Sequence, residues 1–521
     1  ALQGTLAGQR MIPPGSPAPI GAAVASYAYI PKGFFPLQDT AFIVGQTLAA
    51  EDISYEDMRA KHEAIAAIIA KDPAVQQFNH AIGTTGGSQS LANGRVWIVL
   101  KDRGDRDVSS EGLIARLRPQ LARIPGITVS MRSAQDINIG AGGGAGQYSY
   151  VLKSTDTDEM ARWAARMTQA MSGSPLFRDV RNDVQLGARM QGVTIDRAAA
   201  ARYGLSVDMI DQAFYDSFGQ RQISEFQTQA NQYRVVLEVD PARYARLASL
   251  DTMFLRSPVT GAMVPLSAVA KLETQGAGPL SIGRHGLSPA ANISFNLPEG
   301  VALGDAMAGI ENIRQQIGVP ASVTGTAQGS AQAFQDSLAT QPLLILAALI
   351  AVYIILGILY ESFSTPLTIL STLPSAGLGA VLMLWLFGLD FSIMALIGVI
   401  LLIGIVKKNG ILMVDFALDA QRNRGLSPED AIYEAAVTRF RPIIMTTIAA
   451  LLAAIPLMLA FGTGAELRQP LGVAVVGGLV ISQVLTLFST PIVYLALDRL
   501  FRRARPQKAP RLKTMLEGAM A

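Results

Sequence analysis

The chain has 521 residues, of which 50% are hydrophobic and only 16% are charged, against roughly 25% charged residues in soluble proteins. Its 43 basic and 40 acidic side chains leave a formal net charge of +3, so charge gives no reason to expect a nucleic-acid partner. Cysteine is absent and three histidines are present, which excludes a disulfide framework and a thiolate metal site and leaves few ligands for a histidine metal centre.

Up to residue 341 the pattern is that of a soluble region in which strands and helices alternate. Period-two alternation predicts strands, and apolar residues at helical spacing predict helices. The first set is strand 42–48, helix 55–70, strands 75–82 and 95–100, helix 111–123 and strand 127–131. The same order recurs as strand 148–152, helix 158–171, strands 177–184 and 291–297, helix 303–317 and strand 322–326.

The second set is interrupted between its third and fourth elements. The intervening stretch contains a predicted helix of its own, 206–218, and a predicted strand, 233–239. Two βαβ repeats of ferredoxin-like order, the second of which carries an inserted domain, account for this arrangement most simply. The predicted fold class of this part is α+β.

After residue 342 the chain becomes strongly apolar. Five stretches are long enough to cross the roughly 30 Å core of a bilayer, namely 343–360, 366–389, 391–417, 442–461 and 471–497. The third stretch contains Lys407, Lys408 and Asn409, but the apolar runs on both sides of them indicate a single helix. The α+β region is therefore expected to be followed by a five-helix transmembrane bundle.

Basic residues are concentrated on one side of these spans. The loop between the third and fourth spans and the basic tail 498–521 hold most of them, the loop residues being Arg422, Arg424, Arg439 and Arg441. Because basic loops stay in the cytoplasm, residues 1–342 are expected to be periplasmic and the C-terminus cytoplasmic. A short surface helix is also expected within 421–441, starting near Ser427.

Charge inside the membrane is the strongest chemical signal. Lys408 lies in the middle of the third span, and Gly404, Leu412 and Asp415 share its helical face by i, i+4 and i+7 spacing. Such a lysine usually faces a bundle interior and marks an ion pathway. The alternative is that Lys407 and Lys408 both extend their ammonium groups to the cytoplasmic surface.

Arg439 and Thr446 form a second pair, about two helical turns apart on one face of the fourth span. The ordinary interpretation is a cytoplasmic anchor together with a threonine hydrogen-bonded to its own helix. From the residues alone, this interpretation and a role in an ion pathway both stay open.

From Ile30-Pro31-Lys32-Gly33-Phe34-Phe35-Pro36 to the basic tail, the chain resembles the C-terminal half of resistance–nodulation–division (RND) multidrug efflux transporters of the hydrophobe/amphiphile branch. The most specific segments are Gly404-Ile-Val-Lys-Lys-Asn-Gly-Ile-Leu412 and Arg439-Phe-Arg-Pro-Ile-Ile-Met-Thr446. Asn231-Gln-Tyr-Arg-Val-Val-Leu-Glu238 is most similar to subunits of the heteromeric pumps, which combine two different RND subunits.

The resemblance implies a domain organisation and a set of partners. It makes 36–140 the first porter subdomain, 141–186 with 277–330 the second, 187–276 an inserted docking domain, 343–497 the membrane domain and 1–35 a degenerate remnant of a preceding span. The partners it implies are the missing N-terminal half, an RND homo- or heterotrimer, a periplasmic adaptor protein, an outer-membrane channel and amphiphilic small molecules. The proton motive force, rather than a cofactor, would drive export.

The resemblance also implies a proton relay. Lys408, Arg439 and Thr446 match the relay positions of the family, and Asn409 and Asp415 are candidates to support them. The mechanism requires paired aspartates on the N-terminal half, which titrate while Lys408 moves toward or away from them.

Substrate binding is implied at three aromatic residues, Trp97, Tyr148 and Tyr150, which match pocket positions of the family. Ordinary core packing is the alternative and is favoured for Tyr150. The loop 83–94 lacks the phenylalanines of well-known drug pumps, and the glycine-rich stretch 140–146 is interpreted as a hinge rather than a phosphate cradle.

Two functional classes follow. The favoured one is a non-enzymatic, proton-coupled efflux subunit. The alternative is a membrane-anchored scaffold or docking fragment that does not transport by itself. A metal exporter is disfavoured, since no cluster of methionine, histidine and carboxylate is evident in the sequence.

Overall fold

We analysed a computed structural model of the chain, which describes residues 18–83, 90–137, 139, 146–184, 188–240, 250–278, 282–462 and 464–503. The chain forms two compact units. The larger one comprises Ala1–Ala49, Ile53–Val184 and Ile282–Ala521, and the smaller one comprises Ala50–Asp52 and Gln185–Ser281.

The described part begins with a short helix, α1 (Ala18–Tyr29), within the segment 1–35 that was interpreted as a degenerate span. The 12 described residues of this helix cover about 18 Å. Tyr27 anchors the helix: its ring packs edge-on against Phe391 with centroids 5.2 Å apart, and its hydroxyl donates to Gln341 Oε1 over 3.1 Å.

The first repeat has the predicted order of elements. They are β1 (Phe42–Ala49), α2 (Tyr55–Ile69), β2 (Val75–Ile82), β3 (Asn93–Leu100), α3 (Ser110–Leu121) and β4 (Ile127–Ser133). The strands form one antiparallel sheet in the order β2–β3–β1–β4. Alternate residues of β1 and β3 are buried under the two helices, whose first turns are capped by the hydroxyls of Ser54 and Ser109.

The second repeat starts with β5 (Tyr148–Lys153), α4 (Thr157–Ser172) and β6 (Arg178–Asn182). The chain then enters the smaller unit, whose elements are β7 (Ala188–Ile195), α5 (Arg197–Arg202), α6 (Val207–Phe218), β8 (Arg221–Gln227), β9 (Gln232–Leu237), β10 (Phe254–Arg256), β11 (Met263–Pro265) and β12 (Ala270–Gly278). Strand β12 pairs with β7 as far as Gly278. The expected boundary between residues 276 and 277 therefore falls inside a strand.

The second repeat is completed by β13 (Arg284–His285), β14 (Ser288–Asn296), α7 (Leu303–Gln316) and β15 (Thr324–Gln328). Its strands are ordered β13–β14–β5–β15, and β6 also pairs with β14. The sheet thus joins strands from before and after the smaller unit, and Phe295, Leu152 and Ile293 are fully buried in its core.

The membrane region consists of α8 (Ser330–Tyr360), α9 (Ser364–Leu370), α10 (Leu373–Leu386), α11 (Ile393–Arg424), α12 (Pro428–Leu459) and α13 (Ala465–Arg503). With α9 and α10 counted as one span, five helices in the described part of the chain are long and apolar enough to cross a membrane. The prediction of five apolar spans is confirmed.

Four of these helices, α8, α11, α12 and α13, extend beyond the predicted spans. Helix α8 begins at Ser330 because its first turns, with Ala331 and Phe334, belong to the core of the second repeat. The prediction of a separate surface helix within 421–441 was wrong. The Ser427 cap does start a helix, but that helix continues without interruption through the fourth span.

Candidate functional site

Helix α11 presents one face that no other described part of the chain covers. Gly404, Lys408 and Asp415 are exposed along it, and Leu412 is half-buried. Lys407, which points about 100° away, is half-buried. No ion pair or hydrogen bond holds the Lys408 side chain within the described residues. The predicted face therefore exists, and its lysine is available to a partner.

The residue after Lys408 has the opposite environment. Asn409 is 7% exposed, and its Nδ2 donates to Thr447 Oγ1 over 3.1 Å and to Gln483 Oε1 over 3.2 Å. Thr447 Oγ1 in turn donates to Gln483 Oε1 over 2.7 Å. We call Asn409, Thr447 and Gln483 the polar triad. It joins α11, α12 and α13 beside the turn that carries Lys408.

Sequence reasoning identified Asn409 but missed Thr447 and Gln483. Gln483 is the only amide in the apolar stretch 471–497, and an isolated polar residue in a membrane span generally pairs with another polar group. That signal was present. Its partners could not be found, because spacing along one helix carries no information about a neighbouring helix.

Arg439 and Thr446 lie on α12 but make other contacts. The Arg439 guanidinium stands 5.0 Å from the centre of the Phe416 ring on α11, and its buried Nε has no hydrogen-bond partner in the described structure. Thr446 Oγ1 donates to the carbonyl of Ile443 on its own helix over 3.1 Å. No hydrogen bond among the described residues joins either side chain to Lys408.

The three aromatic candidates occur in two sheets. Trp97 is half-buried on the face of β3 opposite the first-repeat core, since its neighbours Val96 and Ile98 point into that core. Tyr148 and Tyr150 are 6% and 4% exposed and belong to the core of the second repeat. Burial raises the pKa of both hydroxyls. Much of the loop 83–94 and of the stretch 140–146 lies outside the described residues.

A histidine pair is buried in the first repeat. His62 of α2 is fully buried, with its Nδ1 3.3 Å from His80 Nδ1 and its Nε2 2.9 Å from Thr47 Oγ1. Burial, and then the charge of His80, lower the pKa of His62 to about 4. These two histidines alone provide too few ligands for a metal centre. In the described residues no group of three or more histidine, aspartate and glutamate side chains could hold a metal ion.

Comparison with known proteins agrees with this architecture. The family model of the AcrB/AcrD/AcrF family matches residues 11–498. Two crystal forms of a heavy metal efflux pump have similar folds, each with a TM-score of 0.80, at 22% and 23% sequence identity. Each match covers 96% of this chain and 51% or 52% of the pump chain, so the chain spans about half the length of those proteins. The chain belongs to the AcrB/AcrD/AcrF family of RND efflux transporters.

Proposed function

We propose that the chain is the C-terminal half of an inner-membrane proton/substrate antiporter of the hydrophobe/amphiphile branch, which exports amphiphilic compounds as part of a tripartite pump. The observation that carries the proposal is the position of Lys408. It is an exposed lysine in the middle of an apolar helix, next to a buried polar triad.

An ammonium group in this position requires a partner. A lysine near the centre of a membrane helix costs about 2.5–3.5 kcal/mol on insertion scales. Paired carboxylates on the N-terminal half of the proposed transporter would remove that cost. They would stay ionised beside Lys408, and their protonation would release it. The relay would then have two states, one with the lysine paired and one with it free.

Two features of the fold connect the two states of Lys408 to the rest of the chain. The polar triad ties the Lys408 turn of α11 to α12 and α13. Helix α8 runs without interruption from the core of the second repeat into the membrane region. A shift of the bundle at Lys408 would therefore reach the second repeat through packed helices. Arg439 and Thr446, on the neighbouring helix, are proposed to pass protons to the same site.

We assign the two repeats as the porter subdomains, residues 36–140 and 141–186 with 277–330, and the insertion as the docking domain. The strand orders β2–β3–β1–β4 and β6–β14–β5–β15 support a ferredoxin-like arrangement in both repeats. Trp97, half-buried outside its core, is the best placed of the three aromatic candidates to meet substrate. Tyr148 and Tyr150 are largely buried, so each would present only a small part of its ring to a substrate.

Assembly into a trimer with an adaptor protein and an outer-membrane channel is supported by the surface of the smaller unit. Its β8–β9 hairpin exposes apolar side chains, including Phe226, Tyr233 and Val236 at 55%, 47% and 46%. Contiguous apolar groups of this kind usually meet a partner.

Ion pairs of Arg424 with Glu434 and of Arg499 with Glu429 place the basic ends of α11 and α13 beside α12, which supports a cytoplasmic C-terminus.

The test is export by a pump reconstituted from this chain and a matching N-terminal half. Lys408→Ala should abolish export that depends on the proton gradient, whereas Lys407→Ala should largely preserve it. Arg439→Ala and Thr446→Ala should weaken export, and their effects should not add to that of Lys408→Ala, because residues that act as one unit are strongly non-additive.

Equal export by the wild type and Lys408→Ala, at equal abundance, would remove Lys408 from the mechanism. A stable complex that shows no gradient-dependent export in any form would instead favour a scaffold without transport activity.

A further inference from the structure

A cavity of about 270 Å³ lies where the second repeat meets the membrane bundle. Its wall combines the segment 33–37, the turn before α7, the loop between α10 and α11, and Pro470 of α13. Backbone hydrogen bonds hold this junction: Phe391 N–H donates to Pro31 O over 2.9 Å, and Ile393 N–H donates to Phe34 O over 3.1 Å. The cavity is therefore built from parts that are fixed to one another.

Most of the wall is apolar, with aromatic rings from Phe34, Phe35 and Tyr148 and aliphatic groups from Leu303 and Leu389. Phe34 and Tyr148 are 5% and 6% exposed, so their rings are held in place by the core behind them. Such a wall offers a large contact area with few directional demands. It suits the apolar body of a small ligand.

One carboxylate interrupts this wall. Asp390 is half-buried, and no hydrogen bond or ion pair satisfies its side chain within the described residues. A Cβ at Gly33 would lie 2.8 Å from Asp390 Oδ2, so the glycine allows the carboxylate to lie against the backbone. Burial raises the pKa of Asp390, and the nearby charge of Asp305 raises it further.

The neighbouring basic side chain does not neutralise this group. Lys32 donates its ammonium hydrogens to the carbonyls of Ala28 and Ile30, both at 3.1 Å, and stands 5.1 Å from the centre of the Tyr27 ring. Asp390 therefore offers an unpaired, half-buried carboxylate in a largely apolar cavity, and a cation beside such a carboxylate stabilises its charged form. The other carboxylate of the wall, Glu299, is exposed at the edge.

We propose that this cavity binds a small organic cation, with the positive charge against Asp390 and the apolar body against Phe34, Phe35 and Tyr148. The assignment rests on the proposed function in one respect, since it makes such cations a substrate class of the exporter. The cavity adjoins the start of α11, and Lys408 lies about 23 Å further along the same helix. A bound cation would thus contact the helix that carries the proposed relay lysine.

The test measures binding directly on the purified full chain in a non-ionic detergent. The probe is the fluorescent cation N-methyl-4-(4-dimethylaminostyryl)pyridinium, followed by its anisotropy, and its unmethylated parent provides a neutral probe in alkaline buffer. Asp390→Asn should weaken binding of the cation by at least about tenfold and leave binding of the neutral parent unchanged. Asp305→Asn, at an exposed carboxylate nearby, should change either affinity by less than about twofold.

Retained binding of the neutral parent shows that the cavity of Asp390→Asn is intact, so a misfolded variant cannot imitate the expected result. Equal affinity of wild type and Asp390→Asn for the cation would overturn the proposal. Displacement of the probe by phosphatidylethanolamine but not by benzyltrimethylammonium would assign the cavity to a lipid headgroup, and would also overturn it. Because binding is measured without transport, equal export by the wild type and Lys408→Ala would refute the relay but would leave the binding result unchanged.

Discussion

The first repeat and the transmembrane bundle pack with side chains of different size. In the first repeat the core consists of large aliphatic groups, and Ile43, Ile69 and Leu113 are completely buried. In the bundle several glycines lie directly against a neighbouring helix. A Cβ on Gly379 of α10 would lie 2.6 Å from the carbonyl oxygen of Gly477 on α13, a distance that side-chain atoms do not tolerate. The two regions are stable for different reasons.

The difference follows from the solvent around each region. Water drives large apolar side chains together, at roughly 25 cal/mol per Å² of buried apolar surface. Lipid tails provide no such force between helices, so close backbone contact and interhelical hydrogen bonds hold a bundle. Apolar character therefore does not reveal which helix is interior. Only 6% of the most apolar window of α8 is buried inside the chain, against 56% for α13.

Breaking the glycine contact should have the largest effect. We expect Gly379→Leu to destabilise the bundle by more than about 3 kcal/mol, because the new side chain meets backbone that cannot move aside. Gly377→Leu is the matched control on the same helix, since nothing lies within 4 Å of a Cβ at Gly377. Thermal unfolding in detergent, followed by gel filtration, measures both. Equal behaviour of the two variants would show that close packing at Gly379 does not hold the bundle.

The first repeat should instead respond to acid. His62 has a pKa of about 4 in the folded chain, below its ordinary value of 6.5. Between these values the unfolded chain binds the proton more readily. The stability is therefore full above pH 6.5 and declines as the pH falls toward 4, by about 3 kcal/mol.

Hydrogen exchange of residues 42–69 in the intact protein measures this loss, since it reports local opening of β1 and α2. His62→Gln should remove the pH dependence, whereas His285→Gln, at an exposed histidine of the second repeat, should keep it. A flat exchange profile for the wild type across this pH range would contradict the assignment of His62 as a buried neutral histidine.

The smallest effect is expected at two adjacent threonines of α12, whose hydroxyls should contribute differently to the stability of the bundle. Thr447→Val removes the hydroxyl that links Asn409 and Gln483, and we expect a loss of about 1 kcal/mol, typical of interhelical hydrogen bonds in membranes. Thr446→Val removes only a bond within one helix and should leave stability nearly unchanged. Thermal unfolding of both variants, with Gln483→Leu added to complete a double-mutant cycle, gives the coupling energy. A coupling near zero would mean that the polar triad does not act as a unit.

The local sequence pattern was sufficient to predict the order of the strands and helices. The alternation in β1 and β3 showed which residues face the first-repeat core, because the two faces of a strand differ in every second residue. The membrane spans were also evident from the length of the apolar stretches alone. Helix ends were less certain. Ser427 was identified as a start signal, but continuity through Pro442 was not, because a proline normally ends a soluble helix and is tolerated in a membrane helix.

The Lys408 face could be derived from spacing, because residues four and seven apart on one helix must share a side. Its surroundings could not. That Thr447, rather than Thr446, contacts Asn409, and that Asp390 lies unpaired beside Gly33 and three aromatic rings, depends on segments distant in the chain. The sequence by itself determined which face of each element is apolar, charged or small. Only the tertiary structure decided which faces meet, since periodicity records the geometry of one element and carries no information about its neighbour.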